Sequence, residues 1–305
     1  MSAAEEGEMN MMLCASCGIA EVDDIKLKDC DGCDLVKYCS DECQEDHRPN
    51  HEEECEKRAA ELLDELLFEQ PESSHYGDCP ICYLPLPIDL GEKTFMSCCS
   101  KVICDGCYVA KKRREAESRR QHKCPFCRKA SPKTVEENIE RLMKRVEVDD
   151  PVAMCCMGSI RNNEGDYEAA FEYWTRAAVL EDVEAHYQLS LLYIKGDGVE
   201  KDEKRELHHA EQAAIGGHPR ARNNLGCAEE QHGRMDRAAK HYIIAANLGN
   251  DGSLDAIKDL YKGGYVSKED FAAALRGHKA AIDATKSPQR EEAAVFLAER
   301  DRESI

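Results

Sequence analysis

Residues 185–220, AHYQLSLLYIKGDGVEKDEKRELHHAEQAAIGGHPR, hold an apolar run, a turn marked by Gly196 and Gly198, and a second run ending in Ala213–Ala214. The flanking segments, 153–184 and 221–252, repeat this plan. The three units start at Ala153, Ala185 and Ala221, 32 and 36 residues apart. They end in the pairs Ala177–Ala178, Ala213–Ala214 and Ala245–Ala246, and a weaker fourth unit runs from Ser253 to Ala280 and Ala281. Repeats of this length, two helices each, stack into an α-solenoid whose neighbouring units bury a continuous core. Small residues at fixed points let paired helices approach closely, while Tyr, Leu and Trp174 fill the space between them. Cys155, Cys156, Cys227, His208 and His209 fall in these helices and read as packing residues.

The turn YIKGDGVEKD (193–202) closely resembles Sel1-like repeats, relatives of the tetratricopeptide repeat, over about 130 residues. The resemblance implies a concave face that binds peptides or proteins, and the solenoid is expected over 151–286.

The amino-terminal half is dominated by cysteine. Of 18 in the chain, seven lie between Cys14 and Cys55 and eight between Cys79 and Cys127. The opening MSAAEEGEMNMM has no apolar core of a secretory signal, and no run approaches a membrane span. An intracellular protein, cytoplasmic or nuclear, is therefore expected, and closely spaced cysteines there read as metal ligands rather than disulfides. The chain carries a net charge of −20. Residues 1–75 carry −16, 76–135 carry +6 and 136–305 carry −10, so the middle is a basic island in an acidic chain. Overall repulsion opposes nucleic-acid binding.

Residues 14–55 spell C-x2-C-x12-C-x2-C-x5-C-x3-C-x7-H-x3-C. Seven cysteines and one histidine fill two closed tetrahedral sites. His51 and Cys55 lie one helical turn apart, and His47, one turn before His51, is a rival ligand. This spacing, with YCSDECQ at 38–44, closely resembles the MYND finger. The resemblance implies one zinc on Cys14, Cys17, Cys39 and Cys43, a second on Cys30, Cys33, His51 and Cys55, and docking of proline-containing peptides.

Residues 79–128 offer a second set of eight: Cys79, Cys82, Cys98, Cys99, Cys104, Cys107, Cys124 and Cys127. The pairs CPIC and CPFC and their spacing resemble a RING finger. Where that family usually carries a histidine, this chain has Lys101, which cannot ligate zinc at neutral pH. Adjacent Cys98 and Cys99 complete the set as an all-cysteine variant, with His122 as a reserve ligand. The two clusters together supply sixteen ligands for four zinc ions, two per finger.

The RING resemblance implies recruitment of a ubiquitin-conjugating enzyme. Ile81 and Pro125 would be its apolar contacts, and Arg128 the basic residue bridging ubiquitin and its carrier. No catalytic nucleophile is expected. The family's frequent tryptophan between the sixth and seventh ligands is missing, with Tyr108 and Val109 as possible substitutes. The intervening Lys111, Lys112, Arg113, Arg114, Arg119, Arg120 and Lys123 read as a solvated basic helix.

The expected architecture is therefore small zinc-stabilised α+β fingers followed by an all-α solenoid of helix-pair repeats. An acidic disordered segment (1–12) precedes an MYND-type finger (13–56), a helical linker (57–75) with leucines at 62, 63, 66 and 67, and a RING-type finger (76–131). A linker helix (132–150) closed by Pro151 then leads to the repeats (151–286) and a tail (287–305). Two functions are expected to compete: a RING-type ubiquitin ligase selecting protein substrates through its other modules, and a non-catalytic interaction scaffold. No membrane partner is expected. No nucleotide-cradling loop, Ser/His/Asp arrangement or open metal site is present in the sequence.

Overall fold

The computed structural model describes residues 12–22, 24–119 and 121–303. The acidic segment expected over 1–12 therefore lies, apart from Met12, outside the described residues, as does Arg120. The chain divides into two compact units, Met1–Glu69 and Gln70–Ile305.

In the first unit, β1 (Lys28–Asp29) pairs antiparallel with β2 (Lys37–Tyr38). Helix α1 (Asp41–Leu67) follows, its first turn capped by the Ser40 hydroxyl accepting from the Cys43 N–H. The apolar cluster under the strands is Cys14, Leu27, Cys30, Cys33 and Tyr38 with a few half-buried neighbours, too small to hold a fold without cross-links. No break separates the finger from the expected linker, because α1 runs through both. Arg58 on α1 holds it to the finger loop, donating to both Asp34 carboxylate oxygens at 2.7 and 2.9 Å.

In the second unit, β3 (Lys93–Met96) and β4 (Lys101–Cys104) form an antiparallel hairpin, followed by α2 (Asp105–Glu117). Helix α3 (Val135–Val146) comes next. Four antiparallel pairs then stack: α4 (Pro151–Asn163) with α5 (Tyr167–Val179), and α6 (Val183–Lys195) with α7 (Glu203–Ile215). The other two are α8 (Pro219–Gln231) with α9 (Met235–Asn247), and α10 (Asp251–Lys262) with α11 (Lys268–Ala284).

A side chain caps most of these helices. Asp150, Asp166, Asp182, Asp202, Asn250 and Ser267 each accept a backbone N–H from the first turn, satisfying donors that the helix itself cannot. Glycine sets the closest approach within the pairs. A Cβ at Gly158 would stand 2.5 Å from the Trp174 indole, and one at Gly226 would stand 2.6 Å from the Tyr242 ring.

Two segments differ from the sequence-based expectation. The linker helix α3 is part of the solenoid, since Leu142 and Val146 share one core with Met154, Met157, Trp174 and Leu189, and Phe95 of the hairpin packs there too. Pro151 opens α4 at its first turn, where proline needs no N–H partner. The segment set apart as a tail is helix α12 (Pro288–Glu303), and it packs on α2.

Candidate metal centres

Three of the five Cys-x-x-Cys pairs adopt one backbone form. The N–H after the second cysteine bonds the carbonyl of the first: Gly18 to Cys14 at 2.9 Å, Tyr83 to Cys79 at 2.8 Å and Arg128 to Cys124 at 3.1 Å. The N–H of the first cysteine bonds onward to Ile19, Leu84 and Lys129. Each turn places residue 18, 83 or 128 in the left-handed region, at φ 73°, 56° and 61°. Glycine adopts this freely, whereas Tyr83 and Arg128 are held there by the turn.

The turns bring the cysteines into four groups: Cys14, Cys17, Cys39, Cys43; Cys30, Cys33, His51, Cys55; Cys79, Cys82, Cys104, Cys107; and Cys98, Cys99, Cys124, Cys127. Within each group the ligand atoms lie within 4.8 Å of one another. Measured Sγ separations are 3.5 Å for Cys17–Cys39, 3.6 Å for Cys99–Cys124, 3.7 Å for Cys30–Cys55 and 3.8 Å for Cys82–Cys104. Four sulfurs on one tetrahedral zinc stand about 3.8 Å apart, given Zn–S bonds of about 2.3 Å. All 18 cysteines are free of disulfides. In both clusters the groups are interleaved, the first pair of cysteines sharing a group with the third.

The electrostatics of these groups fit a cation. Burial raises the Cys14 thiol, but backbone donors at Cys17, Cys39 and Ser16 outweigh it and hold it near about 6. Cys82 and Cys124 come to about 7 by the same balance, and Cys30 is lowered too. Their neighbours move the other way. Hydrogen bonding to Cys17 raises Cys39 to about 12, and burial raises Cys55 to about 12 and Cys99 to about 11. Each group thus pairs a thiol shifted down with one shifted up beside it, a conflict that a bound dication relieves.

Adjacent Cys98 and Cys99 are accommodated at the tip of the β3–β4 hairpin. Met96 O accepts from the N–H groups of both Cys99 and Ser100, and Ser100 takes φ 54°. The two sulfurs then reach the same group, Cys98 standing 3.3 Å from Cys127. Lys101 opens β4 as an exposed residue. Neither rival histidine enters a group. His47 Nδ1 lies 3.0 Å from the Tyr38 hydroxyl, and His122 Nδ1 lies 2.8 Å from Glu115.

A groove of about 690 Å³ runs between the two knuckles of the second cluster and α2. Ile81, Pro125 and Arg128 all line it, together with Lys111, Arg114 and Lys123. Val109 is buried at 3% exposure, so of the two residues near the absent tryptophan only Tyr108 keeps an accessible face, under the Lys112 ammonium.

Residues not foreseen from sequence complete this region. Glu184 Oε2 gathers the Tyr76 hydroxyl at 3.2 Å and Nε2 of His75 and His218 at 3.3 Å each. The three ligand atoms lie close enough to face one metal ion, but the His218 ring is held in another role. His218 Nδ1 accepts the Ala221 N–H at 3.0 Å, so its ring proton sits on Nε2 and points at the carboxylate. Arg290 and Gln289 of α12 reach Cys82 and Cys107. Their separation in sequence from those cysteines hid them.

Residues 14–55 match the MYND finger model, and residues 154–180, 183–218 and 219–250 match the Sel1 repeat model. The chain therefore carries an amino-terminal MYND zinc finger and a helical solenoid of Sel1 repeats; both matches lie outside residues 76–131. No curated protein matches the chain.

Among solved structures, a Sel1 repeat protein from Oxalobacter formigenes is 31% identical over 50% of this chain and 66% of its own, with a TM-score of 0.44. The protective antigen c5321 of uropathogenic Escherichia coli, described as displaying an SLR fold, is 21% identical over 55% of this chain and 36% of its own, with a TM-score of 0.40. MamA is 18% identical over 49% and 87%, with a TM-score of 0.32. The chain thus spans just under two thirds of the first of these and about a third of the second. The protein binds zinc through its MYND finger, and its Sel1 repeats are of a kind that generally mediates protein–protein interaction. Among the described residues no helix is long and apolar enough to cross a membrane.

Proposed function

We propose that residues 76–131 form a second two-zinc finger, of RING type, and that the protein is a ubiquitin ligase whose solenoid and MYND finger hold protein substrates or partner peptides. On this reading the chain binds four zinc ions through its fifteen finger cysteines and His51. The observation that carries it is the groove in which Ile81, Pro125 and Arg128 converge although 47 positions separate the first from the last. Two apolar side chains and a guanidinium around one groove suit a protein that docks a conjugating enzyme and steadies its ubiquitin thioester.

Arg128 leaves a backbone fixed by its knuckle, so its fork of donors starts from a defined point. Lys111, Arg114 and Lys123 make the rim basic, favouring conjugating enzymes with carboxylates around their apolar contact. Sixteen unoxidised ligands suit the reducing cytoplasm or nucleus.

Ubiquitin transfer by the zinc-loaded protein tests this. Ile81→Ala and Arg128→Ala are each expected to abolish transfer with zinc content unchanged. Full activity in both variants would show that these contacts are wrong. One observation favours a scaffold instead: with Val109 buried, only Tyr108 replaces the missing tryptophan. Transfer absent with every conjugating enzyme would support that second reading.

A further inference from the structure

The C-terminal helix is built into the second finger. Arg290 on α12 extends its guanidinium against the first knuckle. Nη1 donates to Pro85 O at 2.7 Å, and Nη2 donates to Leu84 O at 3.1 Å and to Cys82 Sγ at 3.4 Å. Beside it Gln289 Nε2 donates to Cys107 Sγ at 3.5 Å. One turn further along, Glu292 pairs with Arg113 of α2 at 3.6 Å, and the Arg113 guanidinium lies over the Phe296 ring at 5.0 Å.

Gly106 makes this approach possible. A Cβ there would stand 2.8 Å from Arg290 Cγ and 3.0 Å from its Cα. Residue 106 sits between ligands Cys104 and Cys107, so α12 touches the metal loop by its backbone as well as its side chains.

We propose that Arg290 and Gln289 are outer donors to the metal centre of Cys79, Cys82, Cys104 and Cys107, and that retention of this one ion depends on α12. The inference rests on reading those four sulfurs as a zinc site. Four thiolates around a zinc dication leave a net double negative charge inside a half-buried loop. A guanidinium donating to one sulfur offsets that charge, and its bonds to Leu84 and Pro85 hold the knuckle in its ligating shape. Among the described residues of this unit, α12 donates to Cys82 and Cys107 and to no sulfur of the Cys98, Cys99, Cys124 and Cys127 group, so the dependence is expected at this one centre. Gln289 also lines the docking groove, which makes the C-terminal helix a wall of the surface that the conjugating enzyme would meet.

The test follows zinc release from the full-length protein to a chromophoric chelator, with cysteine alkylation mapped by mass spectrometry and solenoid helicity followed by circular dichroism. Arg290→Leu is expected to release one of four ions about 10-fold or more faster, the range seen when outer donors are removed. Cys79, Cys82, Cys104 and Cys107 should be alkylated first and helicity retained. Arg290→Lys should fall between, keeping charge without the fork.

Gly106→Ala displaces α12 without touching a ligand and should give the same single fast ion; it decides the matter if Arg290→Leu loses helicity. Release of all four ions at the unaltered rate from both variants would overturn the proposal. Ready alkylation of these four cysteines in the unaltered, zinc-supplied protein would overturn the zinc reading itself, and this inference with it.

Discussion

Lys101 shows how one residue can mislead and how its neighbours correct it. It stands where RING fingers usually ligate through histidine, yet it is exposed at the start of β4, while Cys98 and Cys99 both turn into the group completed by Cys124 and Cys127. Cys99→Ser is therefore expected to lower bound zinc from four ions to three in metal analysis, and Lys101→Ala to leave four. Loss of an ion from the lysine variant would contradict this. The grouping of the cysteines with His51 was legible because few side chains hold zinc and short cysteine spacings can close on one metal. The hairpin tip that lets adjacent cysteines share a site was not, since it depends on Ser100 adopting a left-handed conformation. Arg290 was illegible for a different reason: an arginine 208 positions from the cysteine it contacts leaves no local signal.

Among the helices, the repeat was readable because its capping and its small residues recur. Asp166 accepts the Ala169 N–H at 3.1 Å, and Asp166→Ala is expected to cost about 1 kcal/mol in urea unfolding. Gly226→Ala drives a methyl into Tyr242 and should cost about 1–3 kcal/mol, the usual penalty of overpacking. A neutral result there would mean the α8–α9 pair is looser than described.

Glu184 gives a pH signature. Burial opposes its ionisation, but donors from His218, His75 and Gln188 outweigh it and hold the carboxyl well below the usual carboxylate range. Its folded pKa is depressed, so its contribution is full above the unfolded value of about 4.3 and is lost as pH falls towards the folded one. Glu184→Gln should be less stable near neutrality and lose less on acidification; an unchanged acid limb would contradict this. Element ends were less legible than elements. α3 already ends at Val146 and Pro151 opens the next helix, and residues 288–303 are helical with α2 offering them a face to pack on.

For the molecule as a whole, the two units draw stability from different sources. The first has a core of a few side chains around two ligand groups, so chelation should unfold it. The solenoid buries Trp174, Met157, Tyr242 and Ile257 in its own cores, and most helicity should survive chelation. A single cooperative loss of all helicity would contradict that division. Charge is divided along the chain as well, with the basic island of residues 76–135 supplying basic side chains around the groove of Ile81, Pro125 and Arg128.

The most direct test of that groove is titration of the zinc-loaded full-length protein with a panel of ubiquitin-conjugating enzymes, beside Ile81→Ala. Saturable binding to at least one enzyme, weakened by added salt and lost in the variant, is the expected result. Absence of binding across the panel, with four zinc ions bound and the fold intact, would contradict the ligase reading and leave a scaffold of two fingers and a solenoid.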